Sequence, residues 1–225
     1  PATQNIQLLQ RPSSITIVPD AQAVVSTPGT WVGGDFYADP AALNAVLRES
    51  DVEQRLNLGL QVNLIATTGN VDVQAPITTG NSAGSLLLSA GQDNLVRQDI
   101  RLTGPTSSLV IRAVRDVLVS PGVANDYTEL RSNNGNLVLW ANSNSISQGV
   151  VQVQNYVDIR SNGGDIYLAG GLATVSDGVQ VPGGVAAGYN GSYLNGVQLG
   201  TSAIRDNIRI LSSGGDIVIR GTSNQ

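Results

Sequence analysis

Six stretches of this chain share one pattern, and that pattern restricts the available folds more than any other feature. In each, an alternating apolar strand enters a short polar turn, and a second alternating strand follows. They are 62–75 (VNLIATTGNVDVQA), 86–98 (LLLSAGQDNLVRQ), 109–121 (LVIRAVRDVLVSP), 128–141 (TELRSNNGNLVLWA), 157–170 (VDIRSNGGDIYLAG) and 208–221 (IRILSSGGDIVIRG). The last turn residue is Asn70, Asp93, Asp116, Asn136, Asp165 and Asp216 in turn, with steps of 23, 23, 20, 29 and 51 residues. A period of roughly 20–29 residues is short for propeller blades or paired helices and suits stacked β-coils. The last step is about twice the others, which predicts a degenerate coil inside it.

Alternation then sets direction, because side chains of period two share one face. One residue after each turn stand Val71, Asn94, Val117, Leu137, Ile166 and Ile217; three after stand Val73, Val96, Val119, Leu139, Leu168 and Ile219. Before the turns, Leu64, Leu88, Ile111, Leu130, Ile159 and Ile210 occupy matching positions. Stacked in register, these form aliphatic columns facing inward. Asn94 is predicted to be buried and bonded to backbone. Turn Asn and Asp tolerate left-handed backbone and bond neighbouring amides, predicting a structural turn ladder.

The fold expected is all-β: a right-handed parallel β-helix, a solenoid of roughly 20–29-residue coils. Residues 1–54 form an N-terminal capping region of short strands at Ser14–Val18 and 23–26 with one short helix. Asp39 and Pro40 supply an N-cap and first helical position ahead of AALNAVLRE, and Ser50–Glu53 has capping-box form. Residues 55–225 form the coils, with a Gly-rich lateral excursion at about 169–200. Terminal capping is what such stacks require.

Composition narrows function. The chain has no Cys and no His, so thiolate sites and the commonest general base are absent. All 12 basic residues are Arg, and net charge is −5. That balance disfavours nucleic acid and anionic lipid as partners. No apolar run of 18 residues exists to span a membrane as a helix. The start at Pro1, without Met, predicts a processed or excised segment.

Within this frame DPAALNAVL, LQVNLIATTGNVDVQAPI, LLLSAGQDNLVRQDIRL, GGDIYLAGG and GGDIVIRGT resemble the filamentous-haemagglutinin-type exoproteins of two-partner secretion systems. The resemblance covers roughly residues 39–221 and is one of repeat style. It implies a right-handed parallel β-helix, export across a bacterial outer membrane, and roles in adhesion, aggregation or toxin display. No catalytic residues carry over with it.

The reading is therefore a non-catalytic structural or adhesive segment of a secreted or cell-surface protein, forming a rigid rod or filament. Its partners are a second copy end to end or further repeats of a longer chain, together with glycans or proteins of a host or cell surface. The alternative is a polysaccharide-degrading, pectate-lyase-like β-helix enzyme. Such a site needs clustered acids with Arg on one face, and Arg97, Arg101, Arg112 and Arg115 lie near Asp93, Asp99 and Asp116 in sequence; Asp93 and Asp116, in consecutive coils about 5 Å apart, also have the spacing of a retaining glycosidase's two acids. A turn ladder and surface ion pairs account for the same residues. Calcium at the Asp/Asn turns is weighed too, but the nonapeptide of calcium-binding β-rolls is matched only in part; no cofactor is expected. Tyr189 and Tyr193 mark a candidate ligand-contact loop, and with Trp31 and Trp140 complete a candidate sugar platform. Ile217 and Ile219 are expected at an uncovered end of the columns.

Overall fold

The computed structural model describes residues 10–22, 27–38, 43–82, 84–122, 126–146, 148–176, 179–189, 193, 195–200 and 207–223. The chain is mostly β, and it winds repeatedly through three sheets in a fixed order. Gln61–Ile65 lies in sheet A, Val71–Val73 in sheet B and Ile77–Thr78 in sheet C; the next circuit runs Ser85–Ala90, Asn94–Val96 and Ile100–Arg101. Two further circuits follow through Ser107–Ala113, Val117–Val119 and Thr128–Arg131, then Asn134–Ala141, Val151–Val153 and Val157–Arg160. The fifth uses Ile166–Ser176, Val197–Leu199 and Ile208–Leu211, and Ile217–Ile219 opens a sixth in sheet A. Neighbours on this path pair in parallel.

The period-two pattern gives the right inward faces. Val71, Asn94, Val117, Leu137 and Ile166 are all fully buried, as are Val73, Val96, Val119, Leu139 and Leu168. Residues between them, such as Asp72 and Leu118, face outward. Column membership is different from that expected. Val117 pairs with Val151, whereas Leu137 pairs with Leu109. The first three turns lie between sheets A and B, and the last three between sheets C and A. From the fourth circuit on, the Gly-Asn or Gly-Asp turn stands at the C–A corner instead of the A–B corner. The expected degenerate coil is absent: Ile217 pairs directly with Ile166. The long step is one circuit enlarged by an excursion.

That excursion contains a hairpin. Ile166–Ser176 extends past its parallel partners and pairs antiparallel with Val179–Gly184. Val181 then covers the outer face of sheet A, burying Val138, Trp140 and Tyr167 in a second apolar cluster outside the main interior. The Trp140 indole N–H donates to the Gly171 carbonyl at 2.7 Å, anchoring the hairpin.

The N-terminal region departs from expectation. Helix α1 is Glu49–Asn57, and Asn44–Arg48 is a strand beside Ser14–Val18 rather than the start of a helix. Ala45 and Leu47 alternate inward there, so strand pairing and burial override helix propensity. Arg48 precedes the helix with extended backbone and no side-chain cap, and the Ser50 hydroxyl donates to Asp20 at 2.9 Å, so no capping box forms. Asp39, Pro40 and 23–26 lie outside the described residues. The helix covers the first edge of sheet C. Val52 and Leu56 are buried, Glu53 accepts from the Thr78 N–H at 2.6 Å, and Asn57 accepts from the Gly80 N–H at 2.7 Å. A sheet edge with free N–H groups is thus satisfied by side chains.

Candidate functional site

The polar turn residues form two ladders. Between sheets A and B, the Asp93 N–H donates to Asn70 Oδ1 at 3.1 Å, the Asp116 N–H to Asp93 Oδ1 at 3.2 Å, and the Val150 N–H to Asp116 Oδ1 at 2.9 Å. Between sheets C and A, the Asp165 N–H donates to Asn136 Oδ1 at 3.2 Å and the Asp216 N–H to Asp165 Oδ1 at 2.8 Å. Asn and Asp are interchangeable here because each rung needs only an acceptor oxygen. What reads in sequence as a single ladder is two ladders of three on different corners.

The second ladder carries a repeated local turn. Ser132, Ser161 and Ser212 each donate a hydroxyl to the carbonyl three residues ahead, on Gly135, Gly164 and Gly215. Those glycines stack: a Cβ on Gly215 would strike the Gly164 carbonyl oxygen, and one on Gly164 the Gly135 carbonyl oxygen.

The first ladder ends in a cluster of ionisable groups. Asp93 is paired by Arg115 through both carboxylate oxygens. This pairing pushes the Arg115 pKa up. Asp116, about 2 % exposed, lies 3.6 Å from Arg115 Nε. Its second oxygen accepts the Tyr189 hydroxyl at 2.9 Å. Burial raises the Asp116 pKa, against the lowering effect of the Val150 N–H and Tyr189 hydroxyl. Burial, then the bond to Asp116, raises that of Tyr189. The arrangement holds two carboxylates in consecutive circuits, but both already accept backbone and side-chain donors. Sequence reasoning missed the link from Tyr189 to Asp116, since nothing local joins residues 73 apart.

The other candidates are dispersed. Arg97 pairs with Asp72 at 3.1 Å, and Arg101 with Asp99 and Glu129 at 2.7 and 2.6 Å. Tyr189 and Tyr193 meet edge-on with centroids 5.5 Å apart. Trp31 packs on Phe36, and Trp140 lies beneath the hairpin, so no joint aromatic platform forms. Among the described residues, no three acidic side chains converge in a metal-ligating group. No described helix is long and apolar enough to cross a membrane.

At the far end of the stack, Ile217 and Ile219 are 45 % and 46 % exposed, whereas their partners Ile166 and Leu168 are fully buried. Leu199 and Leu211 are exposed at the same end of sheets B and C. Comparison with family models, characterised proteins and solved structures returns no match to this chain.

Proposed function

We propose that this chain is a non-catalytic structural segment of a secreted or cell-surface protein, wound as a right-handed parallel β-helix and acting as a rigid rod. The observation that carries the reading is the open end, where Ile217, Ile219, Leu199 and Leu211 lie exposed on the last strands of three sheets. Further circuits, either of a longer chain or of a second copy stacked end to end, bury that face and extend the rod. An uncovered parallel edge is a template for such pairing, and head-to-tail contacts that do not close give filaments. The resemblance to filamentous-haemagglutinin-type exoproteins points the same way and adds adhesion to host or cell-surface glycans or proteins as the role of the assembled rod.

Polysaccharide cleavage is the weaker reading. An acid–base pair needs oxygens free to meet substrate, yet Asp93 and Asp116 spend theirs on Arg115, Tyr189 and backbone N–H groups.

Sedimentation and light scattering over a wide concentration range test the rod. Concentration-dependent elongated species, lost on Ile219→Asp, are expected. A clean monomer at high concentration, its last strands covered by its own residues, overturns the reading. So does cleavage of acidic or neutral polysaccharide that disappears on Asp93→Asn or Asp116→Asn.

A further inference from the structure

The outward face of sheet A is apolar along one row. Leu87, Val110, Val138 and Tyr167 stand side by side in register on successive strands. Outward rows of a solvated sheet are ordinarily polar. Val181 of the hairpin roofs Val138 and Tyr167, but the row runs on past it. Leu87 and Val110 form the floor of an open groove of about 330 Å³ with Val179 of the hairpin on its wall. A smaller recess continues it past Ser85 and Ser108.

Arg112 borders this groove in the neighbouring row, between Ser89 and Trp140. Its Nε and Nη2 both donate to Ser89 Oγ, at 3.2 and 3.0 Å, and its guanidinium lies 5.8 Å from the centroid of the Trp140 ring. Among the described residues no carboxylate pairs with it. Burial pulls its pKa down, and a carboxylate in contact would pull it the other way. A hydroxyl and an indole face compensate a partly desolvated cation only weakly. Guanidinium carries five N–H donors in a fork matched to carboxylate, and Ser89 engages only part of that fork.

We propose that this groove binds a small carboxylate with an apolar body, the carboxylate on Arg112 and the body along Leu87 and Val110 beside Val179. Charge complementarity fixes the head, since Arg112 is a cation on an apolar wall that no carboxylate pairs with among the described residues. The floor fixes the body: two aliphatic side chains one strand apart, with a third, Val179, on the wall. The volume sits at the lower end of small-ligand sites, which matches a compact ligand rather than a polymer. The site is independent of the open end of the stack.

Titration with octanoate, followed by the indole N–H signals of the two tryptophans, tests this. Octanol supplies the same body without charge, and acetate the charge without the body. Saturable octanoate binding that shifts the Trp140 signal and leaves Trp31 in place is expected, with octanol and acetate each at least tenfold weaker. Arg112→Gln should weaken octanoate at least tenfold and leave octanol unchanged. Val110→Asp sets a carboxylate against Arg112 on an outward position and should exclude octanoate even where Arg112→Gln fails to fold. Equal binding of octanoate and octanol, retained octanoate affinity in either folded variant, or no saturable shift at Trp140 overturns the assignment.

Discussion

Tyr189 donates its hydroxyl to the Asp116 carboxylate at 2.9 Å, tying the excursion to a corner laid down 73 residues earlier. The rung explains the bond. Asp116 Oδ1 accepts the Val150 N–H, but the next circuit presents Val at the rung and offers no side-chain acceptor to continue the ladder. The remaining oxygen of a buried carboxylate then needs a donor, and Tyr189 supplies it.

This arrangement sets a pH dependence. Burial raises the folded-state pKa of Asp116 above its ordinary value. Between the unfolded and folded values, the folded state binds more protons, so stability falls as pH rises through that window. The cost is fully present above the folded pKa and vanishes below the unfolded one. Asp116→Asn keeps the acceptor for Val150 and removes the titration. Melting curves from about pH 3.5 to pH 7 should show the variant gaining on the parent as pH rises. Parallel profiles would exclude Asp116 as the source. Tyr189→Phe should cost about 1.5–3 kcal/mol at neutral pH, the range for hydrogen bonds to charged groups.

A second expectation concerns the stacked glycines. Gly164→Ala places a methyl against the Gly135 carbonyl oxygen, which is backbone and has nowhere to move. Separation of two circuits at that corner should cost more than about 2 kcal/mol, as overpacked sites do. Gly80→Ala is the matched control, because its new methyl would meet only the Asn57 side chain at 3.5 Å. Denaturant midpoints for the two variants decide the point; similar losses would mean the corner yields to the added methyl.

Inward faces were legible in the sequence, and circuit phase was not. Val117 and Leu137 both follow a polar turn and both point inward, yet they belong to different sheets. Period-two alternation carries no label for the corner it leaves, so a turn at the A–B corner reads like one at the C–A corner. One signal was available: the 20-residue step from Asp116 to Asn136 is shorter than any full circuit here. Helix placement is obscured in the sequence for a related reason. Asn44–Arg48 has the composition of a helix, and only its partner strand, 30 residues away, makes it extended. Of the polar contacts, a turn ladder is legible because it repeats, though not its division between two corners; the Tyr189–Asp116 bond and the groove beside Arg112 depend on one excursion folding back and leave no periodic trace.

Asn94 provides a third test. It is fully buried in the column between Val71 and Val117, and its amide donates to the Arg112 carbonyl at 2.7 Å and the Leu88 carbonyl at 3.4 Å. Asn94→Asp keeps the shape and turns a donor into an acceptor facing two carbonyls. Burying that charge, or protonating it to avoid the charge, should cost more than about 3 kcal/mol at neutral pH and less in acid. Unfolding free energies at two pH values measure both parts. A loss independent of pH would show that the site admits water.

The end of the stack gives the last expectation. Ile166 and Ile217 are direct partners in sheet A, 51 residues apart in sequence, and they differ chiefly in what lies beyond them. Ile166 is enclosed between circuits and fully buried; Ile217 has a circuit on one side only and is 45 % exposed. Truncating an enclosed isoleucine removes both transfer energy and packing, so Ile166→Ala should cost about 2–5 kcal/mol. Ile217→Ala leaves no closed cavity and loses only the contacts on one side, so in dilute solution it should cost less than about 1.5 kcal/mol. The contrast should shrink as the end becomes covered, because association or an added circuit turns Ile217 into an interior residue. Chemical denaturation of both variants at low and high protein concentration reads this directly. An Ile217→Ala cost as large as that of Ile166→Ala in the dilute monomer would mean the chain already covers its own end.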